Sequence, residues 1–426
     1  MTEITSKVGP RMGYAHIERC RICGNPQLTA ILDLGEQVLT GVFPRSIGES
    51  ITRGPLRLVK CVEKGEETCG LVQLRHSYDL AEMYGENYGY RSGLNASMVE
   101  HLHRKIDTIV QQSELRANDI IVDIGSNDGT SLSRYPPRRY RLVGIDPTGS
   151  KFREYYPSHV DLIPDFFSAA LFKRRFGDDR AKVVTSFSMF YDLEDPMQFM
   201  REVHDVLADD GLWVFEQSYM PTMLARNSYD TICHEHIEYY ALRQIKWMTE
   251  RVGFAIVDVS FNDINGGSFS VTVRKKSGGA RQSTVVDRVL REETDMGLGT
   301  ERPFREFAQR VAETKRALLA FLADVRKRGE KLYALGASTK GNVLLQYCGL
   351  TASDIPFIGE VNGEKWGRYT PGSNIRILAE DEVLAKQPKY LLILPWHFRD
   401  YFVSSTKFNG RTLVFPLPAV EVVDVP

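Results

Sequence analysis

The sequence lacks a strong excess of charge of either sign, because 54 basic residues stand against 55 acidic ones, for a formal net charge of −1. We therefore predict no nucleic-acid partner and no binding to an anionic membrane surface. No stretch approaches the roughly 18 uninterrupted apolar residues that a membrane span requires. The first 20 residues contain no apolar segment typical of a secretory signal. These absences favour a cytoplasmic protein.

Cysteine is scarce and unevenly placed, with four of six cysteines lying in the first 69 residues: Cys20, Cys23, Cys61 and Cys69. In a cytoplasmic chain this clustering favours a metal site over disulfides. The first two form a C-x-x-C knuckle, whereas seven residues separate the second two. Four thiolates suit a closed, tetrahedral structural Zn²⁺ site. The alternatives are reduced, unliganded thiols, or Cys61 as a buried core residue.

The length of 426 residues and the 42% hydrophobic content predict two or three folded domains. Residues 1–85 are turn-rich and short-stranded. Residues 86–280 begin with a helical stretch at 95–112 and then alternate strands and helices, which predicts a doubly wound α/β sheet ending in an antiparallel hairpin joined through 262–267. Residues 281–426 open with a charged helical stretch, 285–328, and repeat the βα pattern with strands at 331–335, 356–361, 390–394 and 411–415.

The clearest motif is a glycine turn at Ile120–Thr130 (IIVDIGSNDGT), after a β-branched strand and before a helix. Gly125 and Gly129 remove side chains that would keep a ligand from the backbone, and helix amides would face that ligand. Asp146 ends the next predicted strand, where an acid suits ribose hydroxyls. The G-x-x-x-G spacing resembles class I methyltransferases rather than dinucleotide enzymes. The alternative is a structural βα turn.

That resemblance implies S-adenosylmethionine as the cofactor. The residues that it assigns to cofactor binding are Asp123, Gly125, Ser126, Asn127, Gly129, Asp146, Asp165 and Phe166.

A second group of titratable residues lies at 231–240 (TICHEHIEYY). His236 suits the removal of a carbon-bound proton acidified by a neighbouring carbonyl, because histidine titrates near working pH. His234 would share one side of an extended chain with it. The alternatives are a second zinc site, for which H-x-H lacks an evident third ligand, and a surface turn.

The third region contains a turn of small and hydroxyl residues at 336–342 (GASTKGN). Helix amides, Ser338, Thr339 and Lys340 together suit a pyrophosphate. The spacing is not that of a Walker loop, and an ordinary βα turn is the alternative. Trp396 and His397, after a predicted strand, would line the same cleft or pack as aromatic side chains.

The order of these motifs resembles the sugar C-methyltransferase family, which acts on nucleotide-linked 4-keto deoxysugars. The resemblance covers nearly the whole chain. Its matching segments are 20–23 (CRIC), 32–35 (LDLG), 69–74 (CGLVQL), 88–93 (YGYRSG), the glycine turn, 215–219 (FEQSY), 235–236 (EH), 265–267 (NGG) and 333–340 (YALGASTK). It implies a zinc-binding N-terminal domain, a central methyltransferase domain and a C-terminal Rossmann-like domain that binds the nucleotide sugar.

The resemblance also implies site roles. His236 is the candidate base, Glu235 would hold a sugar hydroxyl or orient the histidine, and Tyr90 would reach the sugar or the enolate oxygen. The substrate contacts that we expect are Tyr88, Tyr191, His234, Asn265, Ser338, Thr339, Lys340 and His397. The chain departs from the family where some members carry a tyrosine before D-E-H, because Cys233 and His234 stand there. Tyr191 would replace a histidine found after the third strand of the central sheet.

The function expected from these observations is C3 methylation of a 4-keto-6-deoxysugar linked to thymidine or guanosine diphosphate. The expected protein is a monomer or a homodimer. Two other classes stay open from the residues alone: an O-methyltransferase of a sugar or natural-product scaffold, and a non-catalytic binding protein on a methyltransferase fold.

Overall fold

The computed structural model describes residues 13–84 and 89–426. The first region is built from short antiparallel strands. Its elements are β1 (Tyr14–His16), β2 (Leu28–Val38), β3 (Arg53–Cys61), β4 (Val72–Leu74), β5 (His76–Tyr78) and α1 (Leu80–Met83). Strands β2, β3 and β4 form one sheet, and β1 pairs with β5. The prediction of short strands holds for β1, β4 and β5, which have three residues each, but not for β2 and β3, which have 11 and 9.

The central region contains a seven-stranded sheet. Its elements are α2 (Ala96–Gln112), β6 (Ile120–Ile124), β7 (Arg141–Ile145), α3 (Gly149–Phe152), β8 (Asp161–Ile163), α4 (Ala169–Phe176), β9 (Ala181–Phe187), α5 (Pro196–Val206), β10 (Leu207–Ser218), α6 (Met220–Ala225), β11 (Glu238–Tyr239), α7 (Leu242–Val252), β12 (Phe254–Asn262) and β13 (Ser268–Lys275). The strand order is β12-β13-β10-β9-β6-β7-β8. The strands from β10 to β8 are parallel, and β13 is antiparallel to both of its neighbours.

This order confirms the doubly wound sheet and its terminal hairpin. All five residues of β6 are buried, as expected for a central parallel strand covered by helices on both faces. Helix α5 begins where the sequence indicates, because the Asp195 side chain accepts from the Gln198 amide at 2.8 Å and Pro196 occupies the first helical position. Strand β8 was not predicted, since its three half-buried residues lack an apolar pattern.

One short strand leaves the central region and joins the first. Strand β11 pairs antiparallel with β4, so the four-stranded sheet has the order β11-β4-β3-β2. The Leu74 amide also donates to the Ile237 carbonyl at 2.8 Å. The segment that carries the predicted base is therefore anchored on the cysteine-containing region.

The third region is a second α/β unit. Its elements are α8 (Thr284–Asp295), α9 (Arg302–Lys327), β14 (Leu332–Leu335), α10 (Thr339–Cys348), β15 (Phe357–Glu360), β16 (Arg376–Ala379), α11 (Glu380–Ala385), β17 (Tyr390–Ile393), α12 (Arg399–Ser404), β18 (Thr412–Phe415) and β19 (Glu421–Asp424). The strand order is β16-β15-β14-β17-β18-β19, with only β19 antiparallel. None of the helices in the described ranges is both long and apolar enough to cross a bilayer.

Two expectations for this region need correction. The charged helical stretch 285–328 is two helices, because Gly297 adopts a positive φ of 74° and Pro303 can only begin a new helix. Strands β16 and β19 were not predicted, since each has four residues and only one side chain between them is fully buried.

Helix α10 ties the third region to the first. The Gln346 side chain pairs with the backbone of Val38, accepting from its amide at 2.8 Å and donating to its carbonyl at 3.0 Å. Asn342 donates to the Thr40 carbonyl at 2.8 Å. The loop that follows β2 is thereby held against the amino end of α10.

Candidate active site

The four N-terminal cysteines converge. Their sulfur atoms all lie within 4.8 Å of one another, with Cys20 and Cys69 at 3.4 Å and Cys23 and Cys61 at 3.5 Å. Zn–S bonds of about 2.3 Å separate tetrahedral sulfurs by about 3.8 Å, so the residues present fit a zinc ion. The Asn25 amide nitrogen lies 3.4 Å from the Cys61 sulfur, as suits a thiolate acceptor.

The cysteine cluster supports the strand on which β11 docks. Cys61 ends β3 and Cys69 precedes β4, so a metal there fixes the loop between the two strands. The Gln244 side chain of α7 donates to the Cys69 carbonyl at 2.9 Å. The cluster therefore acts as a structural centre, away from the reacting atoms.

The glycine turn lies at the carboxyl end of β6. Gly125 and Gly129 have φ values of 72° and 75°, a conformation that strains other residues. A Cβ at Gly125 would lie 2.9 Å from the Met189 side chain, and one at Gly129 would lie 2.8 Å from the Tyr156 ring. The glycines are thus required by backbone conformation and by packing as well as by any ligand.

Asp146 braces this turn from the end of β7. One carboxylate oxygen accepts from the Asn127 amide at 2.8 Å, and the other accepts from the backbone and hydroxyl of Thr148 at 2.7 and 2.5 Å. A carboxylate held beside this turn can accept hydrogen bonds from the hydroxyls of a ribose. Phe166, just after β8, is 53% exposed at the same sheet edge, next to Asp165, and offers a ring face to an adenine.

Residues 90–93, which precede α2, are hydrogen-bonded to the glycine turn. The Asn127 side chain accepts from the Ser92 amide at 2.9 Å and donates to the Tyr90 carbonyl at 3.2 Å, while Asp128 accepts from the Gly93 amide at 2.8 Å. The Ser126 hydroxyl lies 2.8 Å from that of Tyr156. These side chains already have protein partners, so a cofactor at the turn would meet the backbone of Ser126 and Asn127.

Asp123 lies beneath the turn and is 3% exposed. It accepts from the Thr185 hydroxyl at 2.6 Å, and burial raises its pKa to about 7. The ring of Tyr90 stands 49% exposed near the turn. Tyr88 lies outside the described residues.

His236 is half-buried where the central region meets the third, at the contacts of Asn265 with Lys340 and of Asp230 with Trp396; this meeting of the two regions is called the cleft. Its Nδ1 lies 3.1 Å from the Thr231 carbonyl, and its ring packs against that of Tyr191 with centroids 4.2 Å apart. Glu235 lies beside the loop after β2, where the Thr40 hydroxyl donates to it at 3.4 Å. A Cβ on Gly41 would clash with the Glu235 carboxylate.

His234 was predicted to contact substrate, and the structure corrects this. Its side chain is fully buried, edge-on to Tyr78 at 4.6 Å and 3.4 Å from the Thr40 hydroxyl. In the described geometry the segment does not keep the extended alternation that would put His234 beside His236. His234 is a packing residue of the junction.

The third region supplies the opposite wall. Lys340 donates to the carbonyl of Asn265 at 2.5 Å. His397 follows Trp396, whose indole donates to Asp230 at 2.8 Å. Ser338 caps α10 by accepting from the Gly341 amide at 3.0 Å.

Sequence reasoning missed several residues of this cleft. Thr40 and Gly41 had no motif, and Asp230 stood just outside the histidine segment. Asp192, next to the predicted Tyr191, accepts from the Tyr84 hydroxyl at 2.9 Å, and burial raises its pKa well above the usual value. Its other oxygen is buried with no partner among the described residues. The sequence around Asp192 (FYDLEDP) carries three acids close together, so it gave no signal that singled out this one.

Three family models match the chain in succession. They are described as "Putative zinc binding domain" over residues 20–84, "Methyltransferase domain" over 98–259 and "C-methyltransferase C-terminal domain" over 263–418. The third match begins within the β12–β13 hairpin, before the boundary expected at 281. The C-methyltransferase NovU of Streptomyces niveus is 29% identical over 418 residues, covering 96% of this chain and 97% of that protein.

Solved structures align with part of the chain. A complex of the Haloferax volcanii Trm112 methyltransferase activator with a methyltransferase covers 43% of this chain and 94% of its own, at 13% identity and a TM-score of 0.36. The plantazolicin methyltransferase BpumL covers 43% of this chain and 87% of its own, at 11% identity and a TM-score of 0.34.

The glycine turn, the seven-stranded sheet and the family matches define an S-adenosylmethionine-dependent methyltransferase with a structural zinc centre. The three matched models follow one another in the order zinc-binding, methyltransferase and C-methyltransferase C-terminal domain, and the chain is similar to a C-methyltransferase over 96% of its length.

Proposed function

We propose that the protein methylates C3 of a nucleotide-linked 4-keto-6-deoxysugar, after His236 removes the C3 proton. The observation that carries this proposal is the hydrogen bond between His236 Nδ1 and the Thr231 carbonyl. A carbonyl oxygen only accepts, so Nδ1 holds the proton and Nε2 keeps its lone pair. The imidazole is thereby fixed in the tautomer that a base requires.

The environment also keeps this imidazole neutral. Burial, and after it the positive charge of Lys340, lowers the pKa of His236 to about 3. The side chain is therefore unprotonated at neutral pH and able to accept a proton. An enolate formed beside it would raise that pKa again, because a negative neighbour favours the imidazolium.

The base lies on the same sheet edge as the cofactor turn. Met189 follows β9 and its side chain lies against Gly125, while Tyr191, two residues later, packs on the His236 ring. Strands β6 and β9 are parallel neighbours. The glycine turn after β6 and the Met189–Tyr191 segment after β9 therefore lie at adjacent carboxyl ends of the sheet. This arrangement supports proton removal and methyl transfer at one substrate carbon.

Polar groups around the base suit a sugar. Glu235 accepts from Thr40, and burial raises its pKa, so it can share a proton with a sugar hydroxyl. Asp192 is a second polar group on the same side, since its charge and that of Glu235 act on each other and burial raises the pKa of both carboxyls.

The nucleotide half would lie against the amino end of α10. The first amides of a helix have no intrahelical partner and favour phosphate. A Cβ on Gly41 would meet both the Glu235 carboxylate and, at 3.6 Å, the Thr339 hydroxyl. The amino end of α10 therefore lies close to Glu235. Ser338 uses its hydroxyl for the helix cap, which leaves backbone amides to meet a diphosphate.

The reaction then proceeds in two steps at C3. The C3–H bond breaks, its proton passes to His236 Nε2, and its electron pair forms the C3–C4 enolate. S-adenosylmethionine, when bound, supplies a methyl group already activated by its sulfonium. The enolate carbon would take up that methyl group with its own electron pair, and the S–CH₃ bonding pair would stay with the departing thioether. His236 then returns its proton to solvent. The residues of the chain contribute alignment and proton transfer.

Deuterium exchange tests the proposal. In D₂O and without methyl donor, the enzyme should exchange the C3 hydrogen of a 4-keto-6-deoxysugar linked to thymidine or guanosine diphosphate. His236→Asn should reduce exchange and methyl transfer by about 10²–10⁴-fold, the usual effect of losing a general base. Its affinity for S-adenosylmethionine should stay unchanged by calorimetry.

The matched control is His103→Asn, on α2 and outside the cleft, which should leave both rates unchanged. Methyl transfer to oxygen without C3 exchange would contradict the proposal and revive the O-methyltransferase alternative. Normal exchange by His236→Asn would remove His236 as the base.

A further inference from the structure

Lys340 occupies an unusual position for a phosphate-binding lysine. Its ammonium donates to the Asn265 carbonyl at the tip of the β12–β13 hairpin, 2.5 Å away. Within the described ranges no carboxylate lies within 4 Å of it. A partly buried lysine that lacks an ion-pair partner is costly to a fold, so its charge calls for a functional reason.

Lys340 and His236 lie on opposite sides of the cleft defined above. Asp230 accepts from Trp396, and the neighbouring Thr231 carbonyl accepts from His236. His397 follows Trp396 on the same wall. Lys340 opens α10 on the other side, next to Thr339 at the Glu235 end of the cleft.

The electrostatics of these groups agree with that placement. Burial and then Lys340 lower the pKa of both His236 and His397 to about 3. Burial also lowers the pKa of Lys340, against the raising effects of Asp230 and Cys233. The charged or titratable neighbours of His236 include Lys340 from α10 and Tyr191 from the turn after β9. On its own segment they include Cys233, Glu235 and Tyr239, whose hydroxyl donates to the His236 carbonyl.

We propose that Lys340 is a catalytic residue that donates a hydrogen bond to the C4 oxygen of the substrate and stabilises the enolate. This inference rests on the proposed function. When the C3 proton moves to His236, negative charge develops on the C4 oxygen, and a fixed ammonium close to the base is placed to meet it. No proton leaves Lys340, so charge and atoms balance with those of the enolisation step.

The position of Lys340 favours this role over diphosphate binding. Its ammonium is held on the Asn265 carbonyl, in the hairpin of the methyltransferase sheet that also carries the cofactor turn. A fixed cation there is useful to the reaction if it stabilises the enolate. The amides of α10 remain available for the diphosphate.

The test compares Lys340→Met with wild type. We expect kcat and C3 deuterium exchange to fall together by about 10²–10³-fold, the typical loss for one oxyanion donor. The KM for the nucleotide sugar and the Kd for thymidine or guanosine diphosphate should change less than about threefold. The acid limb of the residual rate should move to higher pH, because His236 loses its positive neighbour.

Two further variants keep the test decisive. Lys340→Gln can still donate to the Asn265 carbonyl and replaces the methionine variant if that one fails to fold; it should show the same loss of exchange. Lys340→Arg keeps the charge and should recover part of the exchange rate. Lys327→Met, at the exposed end of α9, should behave as wild type.

Exchange at the wild-type rate in Lys340→Met, with a raised KM and weakened diphosphate binding, would overturn the inference and return Lys340 to phosphate binding. Absence of C3 exchange by the wild-type enzyme on every 4-keto sugar would instead contradict the proposed function itself.

Discussion

The cofactor turn and the catalytic cleft of this enzyme are built in different ways. The turn is held by neighbours in one sheet: Gly125 and Gly129 follow β6, and Asp146 follows β7. The cleft draws Thr40 from the first region, His236 from the central one and Lys340 from the third. The proposed site of the methyl donor is therefore a local motif, whereas the proposed chemistry depends on how the three regions meet.

That difference predicts separable failures. Damage to the zinc centre or to the junction should remove turnover and leave the methyl donor bound. Damage to the glycine turn should weaken binding of the methyl donor, and turnover should fall only as a consequence of that weaker binding.

Loss of zinc should have the largest effect. Cys61→Ser, or chelation, removes a ligand from a centre that fixes β4, on which β11 and the His236 segment dock. Structural zinc in small domains contributes on the order of 10 kcal/mol to folding. We expect the wild-type chain to contain about one zinc by elemental analysis, and the zinc-free form to lose methyl transfer.

The affinity of the zinc-free form for S-adenosylmethionine should change by less than about threefold in calorimetry, because the turn has its own supports. Cys348→Ser, a buried cysteine of α10 outside the cluster, is the control and should keep its zinc. Full turnover without metal would show that the cleft does not need the first domain.

The next effect should come from Gly129→Val. Its φ of 75° is strained for valine by roughly 1–2 kcal/mol, and the new side chain meets the Tyr156 ring that supports Ser126. Relief of this strain shifts the turn, so we expect the Kd for S-adenosylmethionine to rise by about tenfold or more. Isothermal calorimetry measures it directly.

Gly279→Val is the control that introduces the same backbone strain without a new contact, because Gly279 has a φ of 81° and no atoms within 4 Å of its Cβ. This variant should lose a similar amount of folding stability but keep its affinity for S-adenosylmethionine. Unchanged affinity in Gly129→Val would mean that the turn is not the cofactor site.

The same contrast explains what could be predicted from the sequence. The turn follows a β-branched strand, its glycines recur at fixed spacing, and Asp146 ends the next strand, so a contiguous pattern carries it. The cysteine knuckle is equally local. Fold class followed from the alternation of apolar strands and amphipathic helices.

The cleft was less accessible because its contacts are distant in sequence. Asp230 and Trp396 are 166 residues apart, and Asn342 and Thr40 are 302 apart. Strand β11 has two residues, which is too short for any periodic signal. The pattern H-x-H suggested that His234 and His236 act together, but β11 pairing with β4 turns His234 into the interior.

His234 offers the smallest and most specific effect. Burial, opposed by backbone hydrogen bonds at Gly54 and Gln37, lowers its pKa from 6.5 to about 3. Between these values the unfolded chain binds a proton that the native chain does not. Its contribution to stability is therefore present above about pH 6.5 and is lost as the pH falls below it, by about 1.4 kcal/mol per pH unit.

His234→Gln removes this one proton from the difference in proton binding between the unfolded and native chains. Denaturant unfolding at pH 6.5, 5.8 and 5.0 should show a free energy of unfolding that falls more steeply for wild type than for the variant, by about 1 kcal/mol per unit. Protonation of the zinc thiolates occurs in both proteins and cancels in the difference. Equal slopes would mean that the His234 ring reaches solvent, and that the junction between the first and central domains opens more readily than the cofactor turn.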